Sequence, residues 1–253
     1  MTTMTMTMTT DPTTTGPEAE MELSALRQQL ALALRMLERQ GIIDFNGHFS
    51  ARLPDGRPGL LINAADSVRS AIRAEDFIAI DFDGRQLEGD RTPPMEFHLH
   101  AQVYRHRPDV HAVVHTHPRW STVLTTVGLE WQPVTMQAAV VGAVRTFDKT
   151  ASINSAPLGQ ELAQFLGGAK AALMRRHGAV SVAGSVTDAF VQAIYLEENA
   201  HRQYLAQQIG TPEPLSPEEC AAIGKNLSRP ALLKKVWDYH AAKAAPAGES
   251  GDD

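Results

Sequence analysis

A short, mostly apolar run, residues 110–115, leads into the sequence His-Thr-His-Pro at residues 115–118. This motif constrains the fold more than any other feature of the chain. The run predicts a strand that stops before Pro118. Residues i and i+2 of a strand point to the same face, so the Cβ atoms of His115 and His117 are expected roughly 6.5–7 Å apart. Both imidazoles then reach one metal ion at about 2.0–2.1 Å. The alternative is a polar strand edge that binds nothing.

A third histidine and a glutamate complete a candidate ligand set. His177 stands in the sequence Arg-His-Gly between two apolar runs, where Gly178 permits a sharp turn that exposes the ring. Cys220 is the one cysteine, which excludes a multi-cysteine zinc module. Three histidines at strand ends therefore indicate a metal site with nitrogen ligands and an open position. An ordinary turn histidine is the alternative for His177.

Glu96 is predicted in the first turn of a helix that opens at a Thr-Pro-Pro sequence. The helix dipole favours the ionised carboxylate there. Such a carboxylate can shuttle a proton or occupy the open coordination position of a metal. The alternative is a glutamate that is simply solvated.

Hydrophobic periodicity predicts one α/β domain with a largely antiparallel sheet. The pair Asp83-Gly84 between two β-like runs is a hairpin signal, because it suits a tight turn with positive φ. Helices are predicted over residues 21–40, 92–106, 120–127, 158–166, 185–208 and 229–245. Extended segments are predicted over residues 42–52, 60–62, 77–82, 85–89, 110–115, 137–144, 171–174 and 179–183.

Composition sets the remaining expectations. Residues 1–20 form a tail rich in threonine and methionine, and residues 246–253 form a second tail; both are expected to be disordered, leaving a single domain over residues 21–245. The first segment lacks the features of a secretory signal, so the cytoplasm is the expected location. A net charge of −6 argues against nucleic acid as a partner. No run approaches the ~20 apolar residues that span a bilayer, so no membrane partner is expected.

The stretch PMEFHLHAQVYRHRPDVHAVVHTHP, followed about sixty residues later by RHG, resembles the class II aldolase/adducin family. The resemblance extends over residues 23–205 and implies a three-layer α/β sandwich in which helices flank a central, mostly antiparallel sheet. It implies a homotetramer with sites between subunits and one divalent metal ion, zinc, manganese or iron, in each site. It also implies that His115, His117 and His177 ligate the metal and that Glu96 is the catalytic acid or base.

Departures from the family pattern narrow the expected substrate. Phosphosugar aldolases of the family carry a Ser-Ser pair directly before the glutamate, to hold a phosphate. This chain has Pro94 and Met95 there, and neither side chain can donate a hydrogen bond. A substrate without phosphate is therefore expected.

The segment GHFSAR is similar to the family's decarboxylase branch, and it supplies further candidates. His48 is expected to deliver a proton, and Arg52 to bind a substrate carboxylate through its planar guanidinium. Asn46 and Ser50 are expected to bind substrate beside them. For His48 and Arg52 the alternative is local backbone bonding or a surface ion pair.

Family aldolases also use a tyrosine from a neighbouring subunit for protonation, and Tyr239 is the candidate for that role here. Amphipathic packing of its helix is the alternative.

These expectations lead to a metal-dependent lyase that decarboxylates a hydroxylated aromatic or oxo-dienoic carboxylic acid. The metal would act as a Lewis acid on the enolate, or its aromatic equivalent, that forms as the C–C bond breaks. One alternative is an aldolase for a hydroxy-keto compound. Another is a non-haem iron oxygenase that acts on a prenylated aromatic acid in aminocoumarin-type antibiotic biosynthesis, because a three-histidine site can hold Fe(II). A metal-free interaction protein is the third.

Overall fold

A computed structural model describes residues 16–244, and it contains one eight-stranded sheet with helices on both faces. The helices are α1 (Pro17–Arg39), α2 (Phe97–His106), α3 (Arg119–Thr126), α4 (Ala138–Val141), α5 (Ala156–Leu166), α6 (Val186–Ile209), α7 (Pro217–Leu227) and α8 (Pro230–Ala244). The strands are β1 (His48–Arg52), β2 (Gly59–Asn63), β3 (Phe77–Asp81), β4 (Gln86–Glu88), β5 (Ala112–Thr116), β6 (Arg145–Phe147), β7 (Ala171–Met174) and β8 (Gly178–Ala183).

The sheet is almost entirely antiparallel. Its strand order is β4-β3-β2-β1-β5-β8-β7-β6, and only the β6–β7 pair is parallel. Strands β1, β5 and β8 lie near the middle, with His48 opposite His115 and Val180 opposite His115 on the other side. The predicted fold class, a three-layer sandwich around a mostly antiparallel sheet, is confirmed.

Successive side chains of a strand point to opposite faces of the sheet, and this alternation divides the hydrophobic core into two halves. In β2, Leu61 packs among α1 and α6, whereas Leu60 and Ile62 pack against α2 and α5. All three side chains are fully buried. A strand covered on both faces needs an unbroken apolar run rather than an alternating one, and β2 has it.

Several boundaries differ from the sequence predictions. Residues 137–144 were expected to be a strand, but they contain α4, which ends at Gly142 with a φ of 82°. Helix α7 was not predicted at all. Helix α2 begins at Phe97, so Glu96 occupies its N-cap position rather than its first turn. Residues 17–20, expected in the disordered tail, form the start of α1. Residues 1–15 and the tail at 246–253 lie outside the described part of the chain.

Within residues 16–244, no helix has the length and apolar character needed to cross a bilayer.

Candidate metal centre

Two neighbouring strands and one turn bring three histidines together. His115 lies in β5, and His117 follows the end of the same strand. Strand β8 pairs with β5, and the turn that joins β7 to β8 carries His177. The three imidazole rings have centroids 4.9, 4.9 and 5.2 Å apart. The spacing of His115 and His117 and the antiparallel pairing of β5 with β8 therefore bring the three histidines together at one end of the central strands.

The ligand atoms are close enough to share one ion. The Nε2 atoms of His115 and His117 are 3.1 Å apart. Glu96 lies opposite, with Oε2 at 3.4 Å from Nε2 of His115 and Oε1 at 3.7 Å from Nε2 of His177. The four donor atoms all lie within 4.8 Å of one another. Two nitrogens bound tetrahedrally to one zinc ion would be about 3.3 Å apart, so the cluster has the dimensions of a metal site.

The hydrogen bonds of the outer ring nitrogens fix which atoms face the cluster. Nδ1 of His115 donates to the carbonyl of Ala179, and Nδ1 of His177 donates to the carbonyl of Ala151, each at 3.0 Å. Because a carbonyl oxygen only accepts, these Nδ1 atoms carry the hydrogens and the Nε2 atoms present lone pairs. Two lone pairs and a carboxylate thus converge, and this donor set fits a divalent cation.

The electrostatic environment supports the same protonation state. Burial raises the pKa of Glu96, but the neighbouring His115 and His177 and the hydrogen bond from the Ile153 N–H outweigh it and hold the pKa well below the usual range. Burial, with the neighbouring histidines, lowers the pKa of His117 to about 4. Burial also lowers the pKa of His177. A charged carboxylate beside neutral imidazoles is the form that binds a metal.

Gly178 allows the strands to approach at this point. A Cβ atom there would lie 2.2 Å from the carbonyl oxygen of Thr116 and 3.1 Å from Cδ2 of His117. No side chain larger than hydrogen fits without moving the backbone. The glycine of the Arg-His-Gly sequence therefore sets the distance between the two strand ends that carry the histidines.

A cavity of about 360 Å³ opens beside the cluster. It is lined by Asn46, His48, Ala65, Arg69, Pro94, Met95, Glu96, His117, Ser152 and His177. Pro94 is buried in its wall, while Met95 is 71% exposed at its edge. The cavity is thus large enough for a small organic molecule beside the candidate metal ligands.

Two of the residues predicted to act on substrate reach this cavity. His48, at the start of β1, is buried, and its ring centroid is 5.4 Å from that of His115. Its Nδ1 is fully buried and has no hydrogen-bond partner among the described residues. Burial and the nearby His115 lower the pKa of His48. Asn46 lines the same cavity from the loop before β1.

The structure does not bring Ser50 and Arg52 to the cavity. Ser50 is fully buried and bonds to Nδ1 of His100 at 2.7 Å and to the hydroxyl of Tyr104 at 2.9 Å. Arg52 lies four residues beyond His48, about 13 Å along the strand. Its guanidinium donates to backbone carbonyls, that of Tyr104 at 2.9 Å among them. These contacts give both residues a structural role, and the substrate-binding roles expected for Ser50 and Arg52 stay predictions that the placement of the two side chains does not support.

Tyr239 lies away from the cavity within this chain. It is 58% exposed on α8, where its ring lies edge-on to the ring of His240 and under the ammonium group of Lys243. Its expected role requires a neighbouring subunit and stays a prediction.

Sequence reasoning missed two charged residues near the cluster. Arg69 lines the cavity from the connection between β2 and β3, and Asp44 lies with Oδ1 at 3.5 Å from Nδ1 of His117. Neither residue belongs to a motif with a recognisable spacing. The position of Asp44 four residues before strand β1 was the one available signal, because loops at strand ends carry a large share of binding residues.

Comparisons with known proteins agree with this geometry. Residues 28–204 match the family described as Class II Aldolase and Adducin N-terminal domain. A 3,4-dihydroxyphthalate decarboxylase of Arthrobacter keyseri is 32% identical over 238 residues, covering 87% of this chain and 94% of the relative. A 5-methylthioribulose-1-phosphate/5-deoxyribulose-1-phosphate aldolase of Rhodospirillum rubrum is 32% identical over 202 residues, covering 79% and 89%. An L-fuculose 1-phosphate aldolase from Glaciozyma antarctica has the same fold, with a TM-score of 0.79 at 20% identity over 91% of this chain and 92% of that one.

Proposed function

Since the chain belongs to the class II aldolase and adducin family, we propose that it is a divalent-metal-dependent decarboxylase of a hydroxylated carboxylic acid without phosphate. Relatives of this chain include both decarboxylases and aldolases, so carbon–carbon lyase chemistry is common to them. The acid is aromatic or oxo-dienoic in this proposal. The similarity to the Arthrobacter decarboxylase, which covers nearly the whole of both chains, supports this choice.

The wall of the cavity beside Glu96 is the observation that carries the choice of substrate. Pro94 and Met95 form it, and neither side chain offers a hydrogen-bond donor to a phosphate. The thioether of Met95 is a polarisable apolar surface, which suits an aromatic or conjugated body. This wall therefore supports an unphosphorylated acid over a sugar phosphate.

The residues of the cluster have separate tasks in the proposed reaction. His115, His117 and His177 would hold the ion through Nε2, with Glu96 beside them. A divalent ion held there supplies Lewis-acid stabilisation of the negative charge that develops as a carbon–carbon bond breaks next to a chelating hydroxyl or carboxylate group. The carbonyls of Ala179 and Ala151 keep two of the rings oriented throughout.

Release of carbon dioxide leaves a carbon that needs a proton. His48 is our choice of donor, through Nε2, because Nδ1 is fully buried and the ring lines the cavity. Glu96 is the second candidate, through Oε2, because Oε1 accepts from the Ile153 N–H; its carboxylate is ionised at rest, so it would first take a proton from a substrate hydroxyl and then deliver it to the carbon. General acid catalysis of this kind contributes roughly 10²–10⁴-fold to a rate.

Anaerobic assays test the proposal. The purified protein is loaded separately with Zn(II), Mn(II) or Fe(II), and carbon dioxide release is measured from a panel of hydroxylated aromatic and dienoic acids that includes 3,4-dihydroxyphthalate. We expect release without oxygen with at least one metal. Strict dependence on oxygen would establish an oxygenase instead, and protein that binds no metal would favour an interaction role.

Retro-aldol cleavage is the second candidate, favoured by the similarity to the Rhodospirillum aldolase. The same panel, extended with hydroxy-keto compounds, separates the two reactions, because cleavage yields an aldehyde and no carbon dioxide. An aldehyde product would replace the decarboxylase proposal while leaving the metal cluster as assigned.

Assembly as a homotetramer, with sites between subunits, is part of the proposal. Light scattering on the eluted protein should give four times the chain mass of 27.5 kDa. A monomeric, active protein would also exclude the role of Tyr239 across a subunit boundary.

A further inference from the structure

Arg69 is a buried cation whose hydrogen-bonding partners are all neutral. It begins a short 3₁₀ turn (Arg69–Ala71) and is only 4% exposed. Nε donates to the carbonyl of Gly47 at 2.8 Å, and Nη1 donates to the carbonyls of Ser67 and Ala64 and to the Ser67 hydroxyl. These bonds hold the guanidinium in one orientation but do not neutralise its charge.

Acidic residues near Arg69 are already engaged elsewhere. Asp66 pairs with Arg91 at 2.7 Å, and Asp76 pairs with the same arginine. Asp44 lies against His117. Within residues 16–244, no carboxylate forms an ion pair with Arg69, and no group accepts a hydrogen bond from its Nη2. The guanidinium of Arg69 therefore lacks an anionic partner within the described residues. A charge removed from water is costly unless it is paired, so binding an anion there would be favourable.

Arg69 stands between two cavities, and their charges decide which one an anion would enter. The first is the cavity of the metal cluster. The second, of about 370 Å³, is lined by Glu38 and Asp44, whose carboxylates would repel an anion. The first cavity carries one carboxylate, that of Glu96, and a divalent ion on the three histidines would bring two positive charges that outweigh it. An anionic ligand therefore favours the side of the metal cluster.

We propose that Arg69 binds, through Nη2, a substrate carboxylate that the reaction does not remove. This inference rests on the proposed function and makes it more specific. One end of the substrate is held at the metal cluster and loses carbon dioxide, while a second carboxylate remains on Arg69. The substrate class is then a hydroxylated dicarboxylic acid, and the product is a hydroxylated monocarboxylate. Arg69 takes the role that the sequence suggested for Arg52.

Binding of matched catechols tests this role without turnover. Calorimetry on the metal-loaded protein compares catechol, 3,4-dihydroxybenzoate and its neutral isostere 3,4-dihydroxybenzamide. The three probes share the chelating hydroxyls and differ only at the group that would meet Arg69. We expect the carboxylate to bind roughly 10- to 100-fold more tightly than the amide, the range of a charge-assisted hydrogen bond.

Variants assign that preference to a residue. Arg69→Gln should remove the preference for the carboxylate while leaving the affinity for catechol within about twofold. Arg69→Lys should retain part of it, because the charge remains but the fixed fork of donors is lost. Arg52→Gln is the matched control, since Arg52 also bonds to backbone carbonyls but lies outside the cavity, and it should keep the full preference. Metal content and thermal melting are measured on each variant.

An unchanged preference in folded Arg69→Gln protein would overturn the inference. If that variant fails to fold, the wild type and Arg69→Lys are compared instead. Equal affinity of the wild type for the amide and the carboxylate overturns the inference, and a preference for the carboxylate that Arg69→Lys weakens supports it.

The proposed function is contradicted by a different result. If no acid releases carbon dioxide, the proposed decarboxylase activity is wrong, but the binding result for Arg69 is unaffected. If the KM for a diacid is unchanged in Arg69→Gln, the inference about Arg69 is wrong, but the decarboxylase activity is unaffected.

Discussion

Two backbone carbonyls determine how two of the proposed metal ligands are protonated. Ala179 and Ala151 each accept from the Nδ1–H of a histidine, which leaves the two Nε2 lone pairs directed at Glu96. Neutral imidazoles with one tautomer fixed bind a metal without a prior proton loss. The ligand geometry is thus set by main-chain atoms, and substitution of neighbouring side chains should disturb it little.

His117→Ala should abolish turnover and leave the fold intact. The variant removes one of three nitrogen ligands, and the histidine is only partly buried, with 19% of its side chain exposed. Metal content by mass spectrometry, circular dichroism and activity are the measurements. Full activity in this variant would show that the assigned site is wrong.

Glu96→Gln should lower the rate roughly 10²–10⁴-fold. Glutamine keeps an oxygen for the Ile153 N–H but has no negative charge and no exchangeable carboxylate proton. The metal content should stay near that of the wild type, because the three histidines remain. Glu161→Gln, at a carboxylate that pairs with Lys149 on the surface, is the control and should be active. A rate within threefold of the wild type would rule out a catalytic Glu96.

The sequence predicted the positions of some site residues and missed those of others. His115 and His117 were predicted together because the period of a strand fixes the relative directions of residues i and i+2. Arg52 was expected at the site and Arg69 was missed, although both are arginines in or beside strands. What separates them is that the guanidinium of Arg69 lines the cavity whereas that of Arg52 bonds to backbone carbonyls elsewhere, and this depends on long-range packing that no local pattern encodes.

At the scale of elements, the approach of β5 to the β7–β8 turn controls the cluster. Gly178→Ala should destabilise the protein by about 1–3 kcal/mol, because the new methyl group overlaps the carbonyl of Thr116. The metal affinity should fall as well, since the same methyl group contacts His117. Thermal melting and metal titration measure both effects. Gly184→Ala, at a glycine with no atom within 4 Å of the added carbon, should change neither quantity.

Two short helices show where element prediction failed. The apolar run that contains α4 has no clear period over its four helical residues, so β-like composition favoured a strand. Buried contact with α6 and α7 gives it helical form instead. Helix α7, by contrast, had a readable signal. Ser216 accepts from the N–H of Glu219, whose side chain accepts from the N–H of Ser216, the reciprocal pattern that a Ser-x-x-Glu sequence predicts.

At the scale of the whole molecule, a bound metal would join distant parts of the chain. It would tie the end of β5, the β7–β8 turn and the start of α2, which lie up to 81 residues apart between Glu96 and His177. An ion that binds only the folded state adds about 2.7 kcal/mol at a free concentration 100 times its Kd.

Removal of the metal should therefore lower Tm. For a chain of this size we expect a decrease of roughly 5–10 °C after treatment with a chelator, reversed when the ion is restored. Differential scanning calorimetry measures the change. His117→Ala should be insensitive to the chelator, and an equal decrease in that variant would mean that the ion acts elsewhere.

The cavity draws its lining from two kinds of structure with different tolerance for change. The histidines proposed to bind a metal sit at the end of the central strand β5 and in the β7–β8 turn, whereas Arg69, Pro94 and Met95 belong to longer connecting segments. Connections accept substitution more readily than buried strands do. Proteins that diverge from this chain should therefore be able to change which acid they bind through a few substitutions in these connections, while the three histidines and Glu96 stay the same.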